Sequence, residues 1–146
     1  MPIRVRAKIK SLKGLRVGSS IETSTLLNTG YTGASPEIIV PIRLAEKLGL
    51  WPPPNGAIES TYDTAGGPAR FYIIREAAIL QVIGEDSVLK ELVVDIVISP
   101  MEREVLLSDY VIGELEIIIL NAYKGTWKFQ TDPQEKIRCS EKPELW

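Results

Sequence analysis

Histidine is absent from this chain of 146 residues, and cysteine occurs only once, at Cys139. Without imidazole groups, the chain can perform neither Ser-His-Asp nor Cys-His catalysis, and it cannot bind zinc through histidine. A single cysteine also excludes an internal disulfide bond and a cysteine metal cluster. Hydrolytic chemistry here would therefore depend on carboxylates, hydroxyl groups, lysine, or a hard metal ion held by carboxylates.

A strong charge of either sign is also lacking, as are long apolar runs. The formal net charge is -2, which favours neither nucleic acid nor an anionic membrane surface as a partner. No apolar run reaches the roughly 20 residues that span a bilayer, and the segment around Arg4 and Arg6 does not have the apolar core of a signal peptide. We therefore expect a cytoplasmic protein that binds neither nucleic acid nor membranes.

The length suits one domain with a single core. Short apolar runs separated by Gly, Pro, Asn and Asp predict roughly eight to ten short strands, and this pattern favours an all-β barrel or sandwich over a parallel sheet. We place the domain at residues 1–131. Residues 132–146 are charged and contain proline, so we treat them as a C-terminal tail that is loosely held or packs against a partner.

Individual strands and two short helices follow from local patterns. The predicted strands cover residues 3–10, 21–27, 38–40, 58–63, 69–74, 77–83, 88–98, 115–120 and 123–129, and residues 13–17 are predicted as a turn with a short strand. In the first strand, apolar residues alternate strictly with four basic ones, which is typical of a half-buried strand with a solvated basic face. Pro41 opens a helix that ends at Gly49, and Ser108 with Asp109 forms the cap of a single helical turn.

One stretch, Leu-Leu-Asn-Thr-Gly-Tyr-Thr-Gly at residues 26–33, carries an unusual loop. Two apolar residues lead directly into Asn28, Thr29 and Gly30, and a second Thr-Gly pair follows three residues later. The pattern predicts a strand that delivers a polar side chain into a tight turn. Because asparagine and glycine are common in loops, a polar turn in a β domain without any site is one interpretation of these residues.

The same stretch, followed by Val-Pro-Ile-Arg-Leu-Ala-Glu-Lys-Leu-Gly-Leu at residues 40–50, resembles the retropepsin-like aspartic proteases of bacteria and archaea. In that family an apolar strand ends in Asp-Thr-Gly, and a short helix of this type follows. The similarity continues in order through a hairpin at residues 59–72 and an apolar run into a short helix at residues 105–113. It covers roughly residues 20 to 129, and its specific part is the first thirty or so.

The resemblance implies an all-β, closed acid-protease barrel that forms a homodimer, with one short helix after the catalytic loop and a β-hairpin flap. Two such loops meet across a two-fold axis, where two aspartates share one proton and activate a water molecule that attacks the peptide bond. The substrate is a peptide or protein in the cleft between the subunits, and no metal or cofactor is implied. The site residues would be Asn28 at the position of the catalytic aspartate, Thr29 and Gly30 as its scaffold, and Thr64, Ala65, Gly66, Gly67 and Pro68 as the substrate-binding flap.

Asn28 is the main departure from the family. A carboxamide does not titrate in the useful range, so it neither accepts a proton from water nor donates one to the leaving amine. Because a homodimer would lose both acids together, we expect the chain to be inactive by several orders of magnitude and Asn28→Asp to be active. Two explanations stay open: an aspartate exchanged to trap an uncut form, or a native asparagine in a non-catalytic peptide-binding module on the same fold.

A second departure lies in Leu106-Leu107-Ser108. The family usually has two apolar residues and a glycine here, in the strand that passes beneath the catalytic loop. Serine is small enough to replace that glycine. Asp109 follows directly, and its position favours a helix-capping role over that of a catalytic acid.

Overall fold

Most of the chain forms β-strands in the computed structural model, which describes residues 2–84 and 87–146 and, within these, omits the side chains of residues 62–64. The described residues contain ten strands and two short helices. The strands are β1 (Arg4–Ser11), β2 (Ser20–Leu27), β3 (Glu37–Pro41), β4 (Ile58–Thr64), β5 (Gly67–Ile83), β6 (Val88–Ser99), β7 (Val105–Leu107), β8 (Ile117–Asn121), β9 (Thr126–Phe129) and β10 (Arg138–Cys139). The helices are α1 (Ile42–Lys47) and α2 (Asp109–Glu114).

Six of the strands close into a barrel. Their order is β1-β2-β7-β3-β6-β5, and β5 pairs back onto β1, where Ala7 lies opposite Val82. The predicted all-β fold is therefore confirmed, and the barrel is the correct choice between barrel and sandwich. Two strand pairs are parallel, β2 with β7 and β3 with β6.

The barrel interior is filled by the apolar residues that alternate along the strands. Along β1 and the residue before it, every second side chain is buried, as the period of two predicts: Ile3, Val5, Ala7 and Ile9. In β6 all residues from Val94 to Ser99 are buried, which agrees with the run of branched residues there, although Val93 is 44% exposed. This closed core supports the loops at the barrel ends.

A single strand, β5, takes the place of two predicted ones. It runs for 17 residues, and its register against β6 shifts between Ile74 and Ala78. Its first part pairs with β4 to form a hairpin, in which Thr64 lies opposite Gly67 and the two-residue turn is Ala65-Gly66. The expected glycine-rich hairpin turn is thus present, and the bend in β5 explains why the sequence pattern breaks there.

The helices begin where the sequence predicts. Pro41 precedes the first residue of α1, and Leu44 and Ala45 point into the core. In α2 the cap is Ser108, whose hydroxyl accepts a hydrogen bond from Val111 N. Neither helix in the described part of the chain is long and apolar enough to cross a membrane.

Two expectations about irregular segments are corrected. The turn predicted at residues 13–17 is present, but the short strand predicted with it is absent, and Leu15 N donates to Gly49 O over 3.0 Å. A left-handed backbone at Gly14, with φ of +82°, allows this close approach. The C-terminal tail lies against the barrel, where Glu141 N donates to Arg4 O and Trp146 N donates to Arg103 O.

Candidate functional site

The candidate loop begins where β2 ends, beside β7. β2 and β7 are parallel, with Leu27 opposite Leu107, and Asn28 N donates to Leu107 O over 3.1 Å. The side-chain oxygen of Asn28 accepts a hydrogen bond from Gly30 N at 3.1 Å. Asn28 is half-buried, whereas Thr29 and Gly30 are exposed. The three predicted residues therefore form one tight turn at a barrel end, in which Leu107 O holds the main chain of Asn28 and Gly30 N holds its side chain.

The second half of the loop is attached to the start of α2. Asp109 N donates to Tyr31 O at 2.8 Å, and the carboxylate Oδ1 of Asp109 accepts a hydrogen bond from Gly33 N at 2.9 Å. Asp109 therefore does not cap α2, and that prediction is wrong, because Ser108 caps the helix and Asp109 binds the loop. A carboxylate that accepts a backbone N–H group holds the main chain in a single position.

Ser108 and Gly33 pack against each other beneath the loop. Ser108 is fully buried, and a β-carbon added to Gly33 would lie 3.2 Å from its Oγ and 2.9 Å from Ser35 O. At position 108, where the resemblance implies glycine, the chain carries a serine side chain, and the residue packed against it, Gly33, has no side chain. The space that Gly33 leaves open therefore accommodates the serine of Leu106-Leu107-Ser108.

A polar cluster that the sequence did not predict flanks the loop. The Tyr31 hydroxyl donates to Glu37 Oε1 at 2.8 Å, and the Ser35 hydroxyl lies 3.3 Å from Glu37 Oε2 and 2.7 Å from Asp95 Oδ2. Arg75 Nη1 donates to the same Asp95 oxygen at 3.0 Å. One signal was present in the sequence, because a lone acid inside the apolar run of residues 92–98 requires a buried partner.

Asp95 is charged in this setting. Burial would raise the pKa of Asp95, but hydrogen bonds from Glu76 N, the Ser35 hydroxyl and Arg75 outweigh it and hold the pKa below its ordinary value. The side chain is 5% exposed. Asp95 is therefore an acceptor for its neighbours and is not poised to exchange a proton near neutral pH.

The predicted flap residues lie at the turn of the β4–β5 hairpin. Ala65, Gly66 and Pro68 are exposed, and Gly67 has a φ of +108°. Thr64 ends β4, but its side chain lies outside the described residues. The hairpin thus projects a small, exposed glycine-rich tip.

The loop can hold and orient a ligand through hydrogen bonds, but it contains no titrating group at position 28. Among the described residues, no three acidic or cysteine side chains converge on a point that could hold a metal ion. Compared with profiles of known protein families and with curated proteins, the sequence matches none of them.

Proposed function

We propose that this chain is an aspartic endopeptidase of the retropepsin-like type whose catalytic position holds Asn28, so that it does not cleave peptides as it stands. In the proposed homodimer, two copies of residues 28–30 face each other across a two-fold axis, and a peptide or protein substrate lies in the cleft between the subunits. The hairpin tip at residues 64–68 closes over that substrate and excludes water.

The observation that carries the proposal is the double anchoring of residue 28. A barrel strand fixes its main chain through Leu107 O, and the turn fixes its side chain through Gly30 N. A catalytic group has to be held in this way, because small displacements from the productive geometry cost large factors in rate. Asparagine side chains also bond their own backbone two residues on in ordinary turns, so the attachment of this turn to β7 and, through Asp109, to α2 is what distinguishes it.

Aspartate would occupy the same place as Asn28. The two side chains have nearly the same shape, and a carboxylate oxygen accepts the Gly30 N–H group as the amide oxygen does. The exchange replaces an amide NH2 group, which only donates, with a second oxygen that accepts a proton. Two such carboxylates at a two-fold axis share one proton and can activate water.

The test is the Asn28→Asp variant. It should cleave peptides at acidic pH and be inhibited by pepstatin, whereas the Asn28 protein should be slower by roughly three orders of magnitude or more. Digestion of a peptide library between acidic and neutral pH, followed by mass spectrometry, measures this. Asn28→Ser is the matched control, because it keeps a small polar side chain that does not titrate. An Asn28→Asp protein that folds, dimerises in sedimentation and cleaves nothing would refute the proposal.

Binding of an extended peptide by strand addition is the second candidate function. The Asn28 side chain already makes the hydrogen bond that closes the turn, so the loop keeps its shape without a carboxylate. In a fluorescence titration the Asn28 protein should then bind library peptides saturably. Saturable binding together with an inactive Asn28→Asp variant would favour this function over proteolysis.

A further inference from the structure

A bulge in β5 separates the part that pairs with both β1 and β6 from the part that continues into the hairpin with β4. β5 pairs with β6 up to Ile74 and resumes this pairing at Ala78. Residues 78–82 also pair with β1 and so belong to the closed barrel. Residues 58–74 form a hairpin arm. Within the bulge, Glu76 has a φ of +47°, a backbone conformation that costs a non-glycine residue free energy and is kept only where surrounding contacts enforce it.

Asp95 on β6 supplies those contacts. Its Oδ1 accepts a hydrogen bond from Glu76 N at 2.7 Å, and its Oδ2 accepts one from Arg75 Nη1 at 3.0 Å. Both carboxylate oxygens therefore bind the bulge from a position that is 5% exposed. A buried carboxylate bound at both oxygens has one orientation, and it fixes the two residues at which the arm begins.

Ser35 connects the same carboxylate to the candidate loop. Its hydroxyl has one proton, and the contact of 2.7 Å with Asp95 is shorter than that of 3.3 Å with Glu37, so the proton goes to Asp95. The Ser35 oxygen also accepts a hydrogen bond from Arg75 Nη1 at 3.1 Å. Ser35 thus binds both the Asp95 carboxylate and the Arg75 guanidinium. Its backbone lies just after the loop at residues 28–33.

We infer that Asp95 and Ser35 form a clamp that couples the hairpin arm to the loop at residues 28–33. The path from the bulge to the loop runs from Asp95 to the Ser35 hydroxyl, and then through the hydrogen bond from Glu37 N to Ser35 O at 2.8 Å. It ends where Glu37 Oε1 accepts a hydrogen bond from the Tyr31 hydroxyl. Tyr31 N in turn donates to Asn28 O at 3.0 Å. A cleft of about 610 Å³ lies between the segment 34–37 and the bulge, and the polar cluster bridges its two walls.

The role of this clamp in peptide cleavage rests on the proposed function, but the mechanical coupling does not. If the arm closes over a substrate, its displacement reaches the bulge through residues 72–74, and the clamp transmits it to the loop that carries residue 28. Asp95 and Ser35 are in this sense positioning residues, since they act through Glu37 and the bulge.

Hydrogen exchange followed by mass spectrometry tests the coupling without any catalytic activity. Ser35→Ala should accelerate exchange roughly tenfold both in the hairpin arm and in the loop at 28–33, with the barrel amides of β1 unchanged. Ser35→Thr keeps the hydroxyl and should behave like the unsubstituted protein. Asp95→Asn should act like Ser35→Ala, and Glu91→Gln is its matched control because it removes an exposed carboxylate from the same strand.

The inference is overturned if Ser35→Ala changes exchange in the loop but leaves the arm unaffected, since the cluster would then be local. In an active Asn28→Asp background, Ser35→Ala should raise KM roughly tenfold and Ser35→Thr should restore it. Unchanged kinetics there would overturn the role of the clamp in cleavage. An inactive Asn28→Asp protein would refute the proposed function, while the exchange measurement would still decide the coupling.

Discussion

The candidate loop and the C-terminal tail are both irregular segments on the same barrel, and charged side chains hold them in different ways. In the loop, the Asp109 carboxylate binds the backbone N–H group of Gly33 at 2.9 Å. In the tail, Arg6 forms ion pairs with Glu141 and Glu144, and these three side chains are 34–44% exposed. A carboxylate bound to main chain fixes the path of the backbone, whereas an exposed ion pair joins two mobile side chains and is screened by solvent.

The tail keeps its place mainly through other contacts. The Trp146 indole nitrogen donates to the buried Thr23 hydroxyl at 3.1 Å, and its ring packs against the core. The basic face of β1, which the sequence predicts to be solvated, is therefore partly covered by this acidic segment. The comparison implies that substitutions in the loop should cost far more free energy of unfolding than the loss of tail ion pairs.

Gly33→Ala should have the largest effect on stability. The new methyl group would lie 2.9 Å from Ser35 O, a backbone atom, and 3.2 Å from the buried Ser108 Oγ. We expect the free energy of unfolding to fall by about 2–3 kcal/mol, measured by urea denaturation. Gly113→Ala is the control, because nothing lies within 4 Å of its new β-carbon and alanine should stabilise α2 by about 0.5–1 kcal/mol. Equal changes in the free energy of unfolding for Gly33→Ala and Gly113→Ala would contradict the view that the loop is held more firmly than other irregular segments.

Asp109→Ala should follow in size. It leaves Gly33 N without its acceptor at 2.9 Å, and we expect a loss of about 1.5–2 kcal/mol in the free energy of unfolding. Asp109→Asn keeps an acceptor oxygen and removes the charge, so it should recover more than half of that loss. If Asp109→Asn costs as much as Asp109→Ala, the charge rather than the acceptor holds the loop.

The strands, helices and loop that depend on neighbouring residues could be predicted from the sequence, because periodicity and turn residues act locally. The alternation in β1 predicts its buried face, and Pro41 predicts the start of α1. The contact of Ser35 with Asp95 joins residues 60 positions apart, and no local pattern encodes which strand lies across from which. The same reason explains why the bend of β5 appeared as a gap between two strands.

Acidic pH should distinguish the half-buried ion pair of Asp132 and Arg138 in the tail from the exposed ones. The hydrogen bonds from Arg138 lower the pKa of Asp132 from 3.8 to about 2. Since the folded state binds the proton more weakly than the unfolded state, this contribution is present above about pH 4 and is lost as the pH falls to about 2. Asp132→Asn should cost about 1–1.5 kcal/mol at pH 7, and the difference from the unsubstituted protein should shrink between these pH values in urea titrations.

The smallest effect should come from the exposed pairs of Arg6. Replacing Glu141 and Glu144 together by glutamine removes both carboxylates from a guanidinium that is 34% exposed. The backbone bond from Glu141 N to Arg4 O and the anchor at Trp146 remain, so we expect a loss of about 0.5 kcal/mol or less, and less again in high salt. Arg4 and Glu104 provide the contrast, since their side chains are 13% and 15% exposed and meet at 2.7 Å. Glu104→Gln should therefore cost more than the double substitution, and the reverse order would show that the exposed ion pairs, rather than the main-chain contacts, hold the tail.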